Sequence, residues 1–133
     1  MHTDKIMRLL VLFVGISGCF SVLFGAWVAH GGQSLPIALQ ERLSTALQYQ
    51  FIHTLALLLT IVLFKLNRNF VLALSAISYT LGIVLFSGSL YIQTFFDIAI
   101  IGKLAPFGGL SFALAWLLLG FAGSKMFQHK LGK

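Results

Sequence analysis

Four short motifs gather the residues of this chain with most chemistry to offer: Gly25-Ala26-Trp27-Val28-Ala29-His30, Tyr49-Gln50-Phe51-Ile52-His53-Thr54, Phe86-Ser87-Gly88-Ser89-Leu90-Tyr91 and Ala105-Pro106-Phe107-Gly108-Gly109. His53 is the member best suited to change protonation near neutral pH. On a helix, Tyr49 and Gln50 lie four and three residues before it, so the three side chains share a face. With His30, Ser87, Ser89, Tyr91, Pro106, Gly108 and Gly109 they form a candidate polar cluster for a lipid headgroup, a quinone or a proton relay. The plainer alternative is that these groups satisfy one another and the helix ends, locking a bundle, while Tyr and Trp form an interfacial belt. Both readings stay open on the sequence.

Other chemistries find less support. His30 and His53 could ligate haem or copper, but a gap of 23 residues specifies nothing, so no cofactor and no metal is expected. The lone Cys19 excludes an intramolecular disulfide and leaves no paired ligand spacing for zinc. Hydrolysis lacks a carboxylate near His53 and a nucleophile elbow. Gly108-Gly109 has neither the strand nor the basic residue of a phosphate loop. The expectation is a protein that is not an enzyme.

The surroundings of these motifs dictate the solvent. Hydrophobic residues make up 59% of the 133 and charged residues 9%, whereas a soluble domain is about one quarter charged. Such a surface belongs in a lipid bilayer. The net charge of +6 comes from Lys and Arg scattered singly between apolar runs, so nucleic acid is not an expected partner. A helix needs about 20 apolar residues to cross the hydrocarbon core, and four stretches qualify: Met7–Ala29, Ala46–Phe64, Phe70–Tyr91 and Phe107–Phe127. None contains Asp or Glu. The predicted fold is all-α, an integral membrane four-helix bundle forming one domain over residues 1–133. The alternating pattern of a β-barrel is missing.

Counting Lys and Arg by loop places seven on one side (Lys5, Arg8, Lys65, Arg68, Lys125, Lys130, Lys133) and two, Arg42 and Lys103, on the other. That bias predicts both termini in the cytoplasm. All four motifs then fall at the outer ends of their helices. Ile16-Ser17-Gly18-Cys19 resembles a lipoprotein cleavage box, but the chain stays apolar from Phe20 to Ala29, favouring a retained helix. Between Gly31 and Thr45, Pro36 suits a helix start and Leu35, Leu39, Leu43 and Leu47 recur every four residues. This predicts a short amphipathic helix in the first outer loop, or a plain extension of the second span.

Lipid tails are as apolar as Leu, so membrane helices meet where small residues let backbones approach. Ser17, Ser21, Gly25 and Ala29 form such a stripe on the first span, and Ser75, Ser78, Gly82 and Ser89 do so on the third. Gly109, Ala113, Gly120 and Ser124 are candidates on the fourth. The stripes serve contacts within one bundle or within a homo-oligomer equally well.

Taken together and in this order, the motifs resemble the YgdD/YwdK-like family of small inner-membrane proteins, a domain family of unknown function. Its pattern reads Gly-Ala-Phe-Gly-Ala-His, Thr-Ala-x-x-Tyr-Gln-x-x-His, Phe-Ser-Gly-Ser-Leu-Tyr and Thr-Pro-x-Gly-Gly. The third is whole at Phe86–Tyr91, and the second stands at Thr45, Ala46, Tyr49, Gln50 and His53. Trp27, Val28 and Ala105 depart from it. The resemblance spans essentially the whole chain and implies a four-span fold in a bacterial inner membrane, with no established reaction. The leading expectation is therefore a non-enzymatic membrane protein whose outer-leaflet cluster binds a lipid-like ligand or a membrane-protein partner. The alternatives are an oligomeric small-molecule or ion transporter or channel, and then a membrane enzyme acting on lipid. The topology has a direct check: alkaline phosphatase fused after Arg42 or Lys103 should be active outside the cytoplasm, and a fluorescent protein at the C-terminus should fold inside it. The opposite pattern would reverse the orientation.

Overall fold

Hydrocarbon offers no partner to a backbone N–H or C=O, so a spanning chain must pair these groups within itself. The structure, a computed structural model describing residues 2–131, meets that demand with helices and, among the described residues, no strand. In chain order they are α1 (His2–His30), α2 (Ile37–Leu66), α3 (Phe70–Gly82), α4 (Ser89–Phe96) and α5 (Ala105–Leu131). A π-helical segment, Ile83–Gly88, joins α3 to α4 without a break, and 3-10 turns at Gly32–Ser34 and Ile101–Leu104 precede α2 and α5. Lys133, counted in the charge bias, lies outside the described residues, and Lys130 is described in its backbone alone.

Four runs are long and apolar enough to cross a membrane: Asp4–His30, Ile37–Leu66, Phe70–Phe96 and Ile101–Met126. They contain the predicted spans almost entirely and extend beyond them. Helix α2, with 30 residues, is about 45 Å long at 1.5 Å per residue, so it must tilt or protrude from a core about 30 Å thick. The amphipathic segment expected in the first outer loop is this protruding start, not a separate helix. Pro36 stands just before the helix, where its missing N–H costs nothing, and no breaker follows. The Gln40 amide secures the entry by donating to the Leu35 carbonyl (2.7 Å) and the Gln33 carbonyl (3.2 Å). At the far end, Asn69 caps α3 by accepting from the Val71 N–H (2.8 Å). Helix α4 stops at Asp97, whose φ of 52° is a left-handed conformation that Asp tolerates better than most residues.

Packing runs in sequence: α1 lies on α2, α2 on α3, and α3 on α5, with the π segment wedged between α2 and α5. The core holds Leu57, Leu72, Ala76, Tyr79 and Ala115, all fully buried. Leu9, Ile16, Leu110 and Leu117 instead face outward, which suits lipid and would be an aggregation hazard in water. Two serines on neighbouring helices tie α3 to α5: Ser75 Oγ donates to the Ala115 carbonyl (2.8 Å) and Ser111 Oγ to the Ser78 carbonyl (2.7 Å).

The small stripe of α1 faces α2 at Ser17, Ser21 and Gly25, where an added Cβ would sit 3.3 Å from Leu47 Cδ2, while Ala29 is exposed. Ser75, Ser78, Gly82 and Ser89 are all buried, in keeping with the stripe expected on the third span. On α5 the candidate residues do not make the contact within the bundle. Ala113, Gly120 and Ser124 are exposed and Gly109 has open space around it. The packed face is Ala105, Gly108, Phe112, Ala115, Leu119 and Ala122. Small residues recur on both sides of this helix, so spacing alone could not choose between them.

Two glycines permit the closest approaches. A Cβ at Gly108 would overlap the Phe86 backbone nitrogen, and one at Gly82 would overlap the Phe112 ring. Backbone cannot step aside as a side chain can, so Gly108→Val should destabilise the fold by about 1–3 kcal/mol or more. Gly109→Val, one residue away in open space, should leave the unfolding temperature in detergent nearly unchanged. Equal effects from the two would remove Gly108 as a contact point.

Candidate functional site

The polar hub of the molecule is Gln50, 95% buried on α2. Its Nε2 donates to Ser17 Oγ on α1 (3.0 Å) and points at the Ser17 carbonyl (3.4 Å). A carbonyl only accepts, so that end of the amide is the nitrogen and Oε1 is left for Tyr91. Tyr91 Oη, on α4, duly donates to Oε1 at 2.7 Å. Ser17 Oγ also shares a hydrogen bond with Thr54 Oγ1 (2.7 Å), and Ser21 Oγ donates to the Ser17 carbonyl (2.8 Å). One amide thus joins three helices at a depth of about 22 Å from Lys65 along α2, at 1.5 Å per residue.

His53, one helical turn further along α2 and about 60° round it, faces α3 and α5. Its Nδ1 lies 2.6 Å from the Tyr49 backbone carbonyl, so that nitrogen carries a proton. The ring stacks on Phe112 with centroids 3.6 Å apart and planes 12° apart. Tyr49 stacks on Phe86 (4.5 Å), and Tyr79 meets Trp116 edge-on (5.5 Å, 89°) beside His53 (5.9 Å). Tyr79 Oη is the one fully buried side-chain polar atom among the described residues without a hydrogen bond. This second group is an aromatic box holding one imidazole.

The sequence-selected residues therefore separate into two groups. Gln50 and Tyr91 meet directly; His53 and Tyr49 meet each other through stacking and a backbone carbonyl; and Gln50 turns to α1 instead of His53. Ser87 Oγ donates to the Ala46 carbonyl (2.7 Å), pinning the π segment to α2, and Ser89 Oγ donates to the Phe86 carbonyl (2.9 Å). Gly108 packs on Phe86, Pro106 is exposed, and Gly109 lines neither group. His30 is exposed at the end of α1 and stands apart from both. Of the other hub residues, Ser17 carried only a packing signal in the sequence, and Thr54 stood in the second motif without being singled out. A hydroxyl at mid-span in each of two helices, Ser17 and Thr54, was the available clue. Tyr79 and Trp116 gave no spacing relation to the four motifs.

Beside the hub runs a groove of about 330 Å³ between α1 and the π segment. Its walls include Phe13, Ile16, Phe20, Ile83 and Val84, and Ser17, Gln50 and Tyr91 supply its polar lining. A π-helical turn holds an extra residue, so the face beyond it is rotated relative to an unbroken α-helix. Through that turn Tyr91 is presented to Gln50. Phe24 on α1 braces it edge-on from above, with centroids 5.2 Å apart. Among the described residues no three of His, Cys, Asp and Glu come together to hold a metal ion. Cys19 is exposed on α1, which continues unbroken through it.

Residues 24–109 match the family described as Protein of unknown function (DUF423). The chain belongs to this family. Among its relatives, the UPF0382 membrane protein of Haemophilus influenzae is 38% identical over 113 residues, covering 84% of this chain and 90% of that one. The UPF0382 membrane protein YwdK of Bacillus subtilis is 32% identical over 121 residues (90% and 98%), and the inner membrane protein YgdD of Escherichia coli K12 is 34% identical over 113 (84% and 86%). No solved structure matches. These names describe location and no activity, and the DUF423 match spans all four motifs.

In this DUF423 protein the hub should register as interhelical coupling. Measured transmembrane hydrogen bonds average about 0.6 kcal/mol, so Tyr91→Phe should cost about that much. Gln50→Leu should cost about 1–3 kcal/mol, because it strands partners on two other helices. Unfolding of the double variant should be less destabilised than the sum of the two. Strict additivity in that cycle would mean that Gln50 and Tyr91 are not energetically linked.

Proposed function

We propose that this chain is a non-catalytic multi-pass protein of the bacterial inner membrane, with both termini cytoplasmic, that holds a lipid-like amphiphile in the groove between α1 and the π segment. The observation that carries the reading is the pairing of an apolar groove with a buried polar lining at the α1–α2–α4 junction. Hydrocarbon alone would fill an apolar groove without selectivity. A lining of Gln50, Ser17 and Tyr91 adds donors and acceptors that reward a headgroup or ring oxygen at one depth. The groove's size falls at the lower end of ligand pockets, about 300–1,000 Å³, which fits one chain or one small ring system. A π segment beside a pocket adds weight, since such segments occur frequently at functional sites.

Val84 provides the test, because it lines the groove yet is half exposed, so Val84→Trp should fill the space without disturbing the core. In membranes containing a photoactivatable lipid, the unsubstituted protein should be labelled preferentially within residues 83–92, and V84W should lose most of that label at an unchanged unfolding temperature. Label spread evenly over the outward face of α5, indifferent to V84W, would defeat the proposal and leave the hub as a purely structural lock.

A further inference from the structure

A second cavity lies at the opposite end of the bundle from the four motifs. It measures about 880 Å³ and opens between the start of α1 and the end of α2. Lys5, Arg8, Lys65 and Arg68 line it together with a single carboxylate, Asp4. Arg68 engages that carboxylate with its planar fork: Nη2 lies 2.8 Å from Oδ1 and Nη1 3.5 Å from Oδ2. Lys5, Arg8 and Lys65 have no acidic partner among the described residues. Three positive charges therefore face one cavity without compensation.

The rest of the cavity is apolar. Met7, Ile61 and Phe64 are buried along its wall, and Val11 and Leu12 continue it outward to the surface that meets lipid. From Asp4 to Leu12 the wall runs about 12 Å along α1, at 1.5 Å per residue. Cations cluster at one end and hydrocarbon at the other, along the helix axis, as the parts of a membrane lipid are arranged. Basic pockets between transmembrane helices are suited to anionic headgroups, and Arg8 can grip a phosphate bidentately where a lysine offers a point charge.

We infer that this cavity is a binding site for an anionic phospholipid drawn from the surrounding bilayer, its phosphate held by Lys5, Arg8 and Lys65 and its acyl chain laid along Met7, Leu12 and Ile61. The recognised chemistry is a phosphate anion, and the lipid is favoured as its source because the apolar wall is continuous with the lipid-facing surface. The site is separate from the groove at Gln50 and stands on its own residues.

Native mass spectrometry of the full chain, released from phosphatidylcholine nanodiscs doped with phosphatidylglycerol, tests the assignment. Each protomer should retain one phosphatidylglycerol that phosphatidylcholine does not replace, whatever lipid the groove at Gln50 holds. The double variant R8Q/K65Q should lower that retention at least tenfold, and R42Q/K103Q, which removes equal charge at the other end, should not. Leu12→Trp supplies a second arm that leaves every charge in place: Leu12 is exposed, the fold should tolerate the change, and retention should fall because the chain's path is blocked. Millimolar inorganic phosphate should fail to displace the lipid. Retention that survives both R8Q/K65Q and L12W would overturn the site. Equal losses from R42Q/K103Q would reduce it to bulk charge attraction, and displacement by inorganic phosphate would make it an anion site with no lipid component.

Discussion

A polar group within a bilayer has only the protein to pair with, and this constraint shapes every level of the molecule. It forces the backbone into helices, and then it makes each intramembrane side chain with a donor or acceptor seek a neighbouring helix. Gln50 carries that logic furthest, because an amide has both donors and an acceptor and can serve two partners at once. Helix α1 buries few side chains beyond Met7, Leu10, Ser17 and Ser21. With no hydrophobic drive to press it against α2, its placement leans on the bond from Gln50 to Ser17 and on the small face around it.

The π segment converts this packing into a shaped surface. Ser87 ties it to the Ala46 carbonyl on α2, and Gly108 lets α5 press against its backbone at Phe86. The segment is held from both sides, and beyond it Tyr91 meets Gln50. The same departure from α geometry leaves room against α1. Stability and concavity thus share one cause, and the polar residues that lock the bundle are the ones that line its groove.

The two ends of the bundle differ in kind. One presents neutral hydrogen-bonding groups beneath an aromatic cover of Phe24, Trp27 and Phe95; the other presents uncompensated cations above buried aliphatic side chains. Between them, His53 lies flat on Phe112 with its proton directed to a backbone carbonyl, and the Tyr79 hydroxyl has no bond at all. Membership of the DUF423 family agrees with a membrane location for all of this and assigns no reaction to any of it.

From the sequence alone, the solvent, the number of crossings and the approximate spans were determined, because hydropathy is a sum over neighbours in the chain and the bilayer imposes a fixed length. The resemblance carried by the four motifs belonged to the sequence as well. Which residues meet did not. Gln50 and His53 lie three apart on one helix, yet the first faces α1 and α4 while the second faces α3 and α5. Likewise, spacing offered Gly109, Ala113 and Gly120 as a contact face on α5, and within the bundle Gly108 with Ala115 and Ala122 make the contact. His30 shares a motif with packed residues but ends in the open. Those choices depend on how helices are rotated about their axes, which is fixed by interhelical hydrogen bonds, close glycine contacts and the π turn at Ile83–Gly88. Each of these exists only after distant segments are brought side by side, so no local pattern could encode it.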